Sequence, residues 1–174
     1  GINMINKLPK IELHCHLDGS VRVDTIIDIA KKENIKLESY EKCDVEKLVQ
    51  VPNDCTSLNE YLKRFDLANK VMQSRENIKR VTFELLEDAQ KENVKYIEVR
   101  FAPLLHLNGG LSIEEVIQSA IDGINEAEKM YDIKGNIILC CMRTMSEDAI
   151  LVVEEEKKFL NKGVVAIDLA GPEE

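Results

Sequence analysis

Three histidines are the residues best suited to chemistry in this chain, and two of them, His14 and His16, stand two positions apart. Along a strand successive side chains alternate, so residues i and i+2 project from one face. Two imidazole nitrogens placed in this way can reach one cation, and neutral imidazole is a preferred zinc ligand. The alternative is a structural pair held by backbone or carboxylate partners. Two ligands also fall short of the three that a catalytic zinc site ordinarily takes from its protein. Asp18 and Gly19 follow directly. Position alone favours Asp18 as the cap of the following turn over a role as acceptor of a substrate hydroxyl. His106 reads as a solvated surface histidine, and Glu98 with Arg100 as a structural ion pair.

The remaining reactive groups are five cysteines: Cys15, Cys43, Cys55, Cys140 and Cys141. Their number is odd, two are adjacent, and no signal peptide precedes them. Reduced thiols in a cytoplasmic protein are expected rather than a disulfide framework. A formal net charge of −9 argues against a nucleic-acid partner. No apolar run has the length of a membrane span. The 174 residues, 44% hydrophobic and 32% charged, fit one core-forming domain. Gly1, Ile2 and Asn3 precede Met4 and are set aside as a candidate expression remnant.

Strand-like and helical segments alternate. Ile11–Leu17 has period two, with Glu12, His14 and His16 on one face. Helical spacing follows from about Val23 to Glu33, with Ser20 or Asp24 as its cap. A short helix is expected at Val45–Val49. A longer one opens at Ser57 with an apolar stripe of Leu58, Tyr61, Leu62, Phe65, Ala68 and Met72. Further helices are expected at Arg75–Lys91, from a capping box at Ser112 and Glu115 to about Met130, and at Ser146–Asn161. Lys95–Phe101, Asn136–Met142 and Val164–Leu169 read as strands, with Pro103 ending the first and Gly163 preceding the last.

Strands separated by helices imply parallel βαβ units. A doubly wound sheet buries both faces, so its strands should be apolar throughout. Here three strands carry charge on one face: Glu12, His14 and His16; Glu98 and Arg100; Asp168. That pattern, with no glycine-rich phosphate loop after the first strand, favours a (β/α)₈ barrel whose polar inner face meets the site at the strands' C-terminal ends. The chain supplies about the first four strands and their helices, so residues 1–174 read as the N-terminal half of a barrel domain. Its outer strands would be open edges, and either a missing C-terminal half or self-association is expected to cover them.

The stretch Leu8-Pro9-Lys10-Ile11-Glu12-Leu13-His14-Cys15-His16-Leu17-Asp18-Gly19-Ser20 resembles the opening motif of adenosine deaminases. Ser57–Phe65 resembles the family's helix over the active site, and Tyr96–Pro103, Ile138–Arg143 and Val165–Gly171 resemble its second, third and fourth strands, in the family's order. The resemblance implies zinc held by His14 and His16. It places His16, Asp18 and Gly171 against a purine nucleoside, with Asp18 near a ribose hydroxyl and the Gly171 amide at the base. Leu58, Tyr61, Leu62 and Phe65 would gate the pocket, and Met142 and Ala170 would line it. The implied reaction is hydrolytic deamination of adenosine or 2′-deoxyadenosine, in which zinc makes water nucleophilic near neutral pH.

The family's third zinc histidine, proton-donating glutamate, second histidine and aspartate pair all lie beyond its fourth strand. No catalytic residue is therefore assigned within this chain, and Glu173 and Glu174 fall too early to be that glutamate. Pro172 stands where an acidic residue is more usual, and Tyr61 where phenylalanine is. Three other readings remain: a deaminase of adenine or another 6-aminopurine, a different zinc or two-metal hydrolase with the same first strand, and a non-catalytic half-barrel that self-associates.

Overall fold

A computed structural model describes residues 8–49, 66–142 and 153–170. Four parallel strands form one sheet in chain order: β1 (Lys10–His16), β2 (Val94–Phe101), β3 (Lys134–Met142) and β4 (Val164–Ala170). The principal helices are α1 (Val23–Lys32), α2 (Lys42–Val49), α3 (Arg75–Lys91) and α4 (Ile113–Met130). Residues 66–71 and 153–157 are also helical, within the two longer helices expected from sequence. Residues 57–65 and 146–152 of those segments, Leu58, Tyr61, Leu62 and Phe65 included, lie outside the described residues, while residues 158–161 are not helical and the expected helix ends short of Asn161.

Side-chain alternation divides the sheet into two chemistries. Ile97, Val99 and Phe101 of β2, Ile137 and Leu139 of β3 and Val164 of β4 are buried in one core with Leu86 of α3 and Ile117, Ala120 and Ile124 of α4. The opposite face carries Tyr96, Glu98, Arg100, Asn136 and Asp168. A sheet with one face under helices and one polar face is the wall of a barrel rather than the middle layer of a doubly wound fold.

The ends of the helices follow from local chemistry. Ser112 caps α4: its hydroxyl accepts from Glu115 N at 3.1 Å, while the Glu115 carboxylate accepts from Ser112 N at 3.3 Å. Ser74 caps α3 by accepting from Asn77 N. The expected cap of α1 fails. Arg22 occupies that position without a side-chain cap bond, and the Ser20 hydroxyl instead donates to the His16 carbonyl at 2.7 Å. Asp18 starts a short 3₁₀ turn, Asp18–Ser20, that has no side-chain cap either.

Helices α3 and α4 cross at Gly123. A Cβ there would lie 2.5 Å from the Lys79 carbonyl and 2.9 Å from Thr82 Cβ. Gly123→Ala must push the helices apart and is expected to destabilise the fold by about 1–2 kcal/mol. Thermal unfolding checks this, and an unchanged midpoint contradicts the close crossing.

β1 and β4 are the edges of the sheet among the described residues. Exposed apolar side chains cluster on them, with Ile11 at 69%, Leu13 at 54% and Val165 at 45% exposure. Open edges with apolar side chains pair with other chains. Expressed as these 174 residues alone, the protein is expected to self-associate with rising concentration. A single monodisperse monomer in light scattering contradicts this.

Candidate metal and nucleoside site

All four strands run in one direction, so their C-terminal ends share one rim. His16 ends β1, and Leu17 N continues the ladder by donating to the Arg100 carbonyl at 2.9 Å. The two histidine rings lie edge to face with centroids 4.8 Å apart, and their Nε2 atoms converge to 3.1 Å. Two nitrogens each about 2.0–2.1 Å from a tetrahedral zinc stand roughly 3.3 Å apart. The observed separation therefore fits the bite of one such ion. Among the described residues, no group of three or more His, Cys, Asp or Glu side chains is placed to hold a metal. This strand supplies a two-nitrogen donor set only.

Cys15 packs against the core while the rings of His14 and His16 meet each other, as alternation requires, but that alternation does not extend back to Glu12. The β1–β2 register shifts between Glu12 and Cys15, where β1 has one residue more than its partner. Glu12 pairs with Ile97 and Ile11 with Tyr96, whereas Cys15 pairs with Val99 and His16 with Arg100. Glu12 therefore does not share the face of His16 as strict period two requires. Its carboxylate accepts from the His14 amide at 3.0 Å across the irregularity. Inserted residues of this kind re-aim side chains next to functional sites.

Partial burial and the neighbouring His14 hold the His16 imidazole below its ordinary pKa, with Asp18 pulling the other way. A neutral ring keeps a lone pair available for coordination. Burial raises the Cys15 thiol, so it is a poor thiolate despite standing between the two histidines. Cys15, Cys43 and Cys140 are free thiols.

Two sequence expectations at this rim are corrected. Arg100 does not pair with Glu98. Its Nη1 donates to Asp168 Oδ2 on β4 at 2.8 Å, while Glu98 accepts from the Tyr96 hydroxyl at 2.9 Å. Residues i and i+2 of a strand stand side by side, but a long guanidinium stem reaches across a neighbouring strand more readily than it turns back along its own. His106 is not solvated either: its side chain is fully buried. Pro103 opens a 3₁₀ turn, Pro103–His106, that folds this ring over Phe101 at a centroid distance of 5.9 Å. Its Nδ1 donates to the Met72 carbonyl at 3.1 Å, and burial lowers its pKa. The proline was the legible sign of a turn, but polarity misjudged where the turn would place the ring.

Met142 and Ala170 are in register at the ends of β3 and β4, so their backbones meet the same rim. Gly171 and the stripe Leu58, Tyr61, Leu62 and Phe65 lie outside the described residues. A groove of about 420 Å³ between α3 and α4, lined by Arg75, Lys79, Glu114 and Asp122 among others, holds none of the rim residues.

The adenosine deaminase family model matches residues 9–174. An adenosine deaminase of Clostridium botulinum (strain 657 / Type Ba4) is 64% identical over 169 residues, covering 97% of this chain and 51% of its own length. The chain thus spans about half the length of the curated relatives it matches. Among solved structures, the N6-methyl-AMP deaminase of Arabidopsis thaliana superposes with a TM-score of 0.77 at 31% identity, over 99% of this chain and 52% of that one. A zinc-bound amidohydrolase from Burkholderia ambifaria shares the fold with a TM-score of 0.82 at 23% identity, over 98% of this chain and 46% of its own. The sheet accordingly shares the parallel barrel fold of these proteins, and on the family match across nearly all of its residues the chain belongs to the adenosine deaminase family.

Proposed function

We propose that this chain is the N-terminal half of a zinc-dependent deaminase domain that converts adenosine or 2′-deoxyadenosine, with water, to the corresponding inosine and ammonia. The observation that carries the reading is the 3.1 Å convergence of the His14 and His16 Nε2 atoms at the C-terminal rim, in a chain whose relatives are adenosine deaminases. The two imidazoles would hold the ion. When bound, zinc supplies the Lewis acidity that makes water nucleophilic near neutral pH.

Within this chain the work is binding and orientation. Asp18 opens the turn after His16 and would accept a hydrogen bond from a ribose hydroxyl, while His16 borders the same nucleoside. The Gly171 amide would donate to the purine at the end of β4. Met142, Ala170, Leu58, Tyr61, Leu62 and Phe65 would wall the base and exclude water, which strengthens every polar contact inside. A third protein ligand and a carboxylic acid to protonate the purine ring must come from residues other than these.

The complete gene product is tested with zinc against adenosine, 2′-deoxyadenosine, adenine and N6-methyl-AMP. Turnover of the two nucleosides well above the others supports the proposal. Preference for adenine removes the role given to Asp18, and preference for N6-methyl-AMP, on which the Arabidopsis relative acts by name, assigns a nucleotide substrate. The 174 residues alone are expected to show no turnover and only weak zinc affinity, because two ligands leave the ion under-coordinated. Measurable deamination by the purified 174-residue chain overturns that expectation.

A further inference from the structure

Arg100 occupies an unexpected place for a permanent cation. It is in register with His16 on the adjacent strand, so the two side chains leave the sheet side by side. A guanidinium beside a ligand for a dication opposes the binding of that dication unless its own charge is balanced. Glu98, two residues away on the same strand, is turned to Tyr96 and does not balance it. The balance comes from β4, where Asp168 Oδ2 accepts from Arg100 Nη1 at 2.8 Å across the intervening β3. Cys140 of β3 lies in register with Asp168 beneath this bridge.

The burial of the pair separates this role from that of a fold-stabilising contact. The Arg100 side chain is 19% exposed and Asp168 54% exposed. Arg100 Nε is buried with no hydrogen-bond partner. A guanidinium placed for its bonding would satisfy that donor, since an unmet buried donor is costly. We infer that Asp168 is a positioning residue for the metal site: it neutralises Arg100, so that the His14–His16 pair faces a locally uncharged neighbour and accepts a divalent cation. The same bridge ties the strand leading to Ala170 to the strand beside His16. This inference rests on the zinc reading above and adds a residue outside the ligand set.

The discriminating experiment compares Asp168→Asn with Arg100→Gln in the complete gene product. Zinc affinity is read by competition with a chromophoric chelator at fixed pH and ionic strength, with the thermal midpoint measured alongside. A purely structural bridge loses the same contact in either variant, so both would change affinity in the same direction. Charge compensation predicts opposite signs. Asp168→Asn leaves a bare cation and lowers zinc affinity about tenfold or more, whereas Arg100→Gln leaves it unchanged or raises it. The double variant is expected to return to within about threefold of the parent, as a double-mutant cycle on one charge pair requires. Equal losses in both single variants, or no loss in Asp168→Asn, overturn the inference while leaving the deaminase reading intact. Where Asp168→Asn does not fold, Arg100→Gln decides alone: affinity held or raised supports the inference, and a tenfold fall overturns it. Absence of zinc from the unmutated protein removes the deaminase reading and this inference with it.

Discussion

Replacing His16 with alanine is expected to abolish deamination by the complete gene product and strip its zinc, with little change in fold. His16 is partly exposed and belongs to no buried core cluster. What it provides is one of two converging Nε2 atoms. A bound zinc would make water nucleophilic near neutral pH, and without the ion that activation is lost. His14→Ala is expected to do the same. Zinc content by mass spectrometry, kcat and the thermal midpoint separate the cases. Retention of more than about a tenth of the activity with zinc still bound places the metal elsewhere and sinks the assignment. Loss of activity together with a collapsed thermal midpoint means that the ring supports the fold instead.

The strands were legible because both of their signals are local. Lys95–Phe101 alternates apolar and polar residues, and the helix Arg75–Lys91 carries an apolar stripe with Val81, Leu85 and Leu86, all buried. Charge on one face of three strands was enough to separate a barrel wall from a doubly wound sheet, because a sheet covered on both sides leaves no place for Arg100 and Asp168. Register was not legible. The extra residue of β1 between Glu12 and Cys15 turns Glu12 away from the face of His16, and no residue type in Leu13-His14 announces it. Partners across strands were equally hidden, since the sequence offers Glu98 as the nearest acid to Arg100 while the sheet brings Asp168 within 2.8 Å. His106 shows the same limit in a loop. A polar residue after a proline turn reads as surface until the turn is seen folding onto Phe101 and Met72.

Arg22→Met is expected to destabilise the fold by about 2–3 kcal/mol at neutral pH, between the value of an exposed ion pair and the cost of breaking a buried one. Arg22 precedes α1 and reaches three acids of α3. Its Nε and Nη2 donate to the two Asp88 carboxylate oxygens at 2.9 and 2.7 Å, and Nη2 also donates to Glu87 Oε1 at 2.6 Å. Its Nη1 stands 3.6 Å from Glu84. Arg80 is the other cation of the knot, joining Asp28 of α1 to Glu84 at 2.6 and 3.3 Å. Methionine would keep much of the stem's packing but leave Glu84, Glu87 and Asp88 facing one another with one guanidinium fewer. Arg22→Lys keeps a charge without the planar fork, so an intermediate loss is expected. The effect has a pH signature. The Tyr131 hydroxyl and Arg22 hold the Glu87 carboxyl below its ordinary value of 4.5. A carboxylate depressed in the folded state contributes stability above its unfolded pKa and loses it as pH falls through the folded one. The gap between parent and Arg22→Met should therefore be full at pH 7 and narrow once the pH drops below that value. Urea unfolding at several pH values measures it. A gap that stays constant into acid, or one under about 0.5 kcal/mol at pH 7, means that the α1–α3 contact is held by its apolar side chains rather than by this knot.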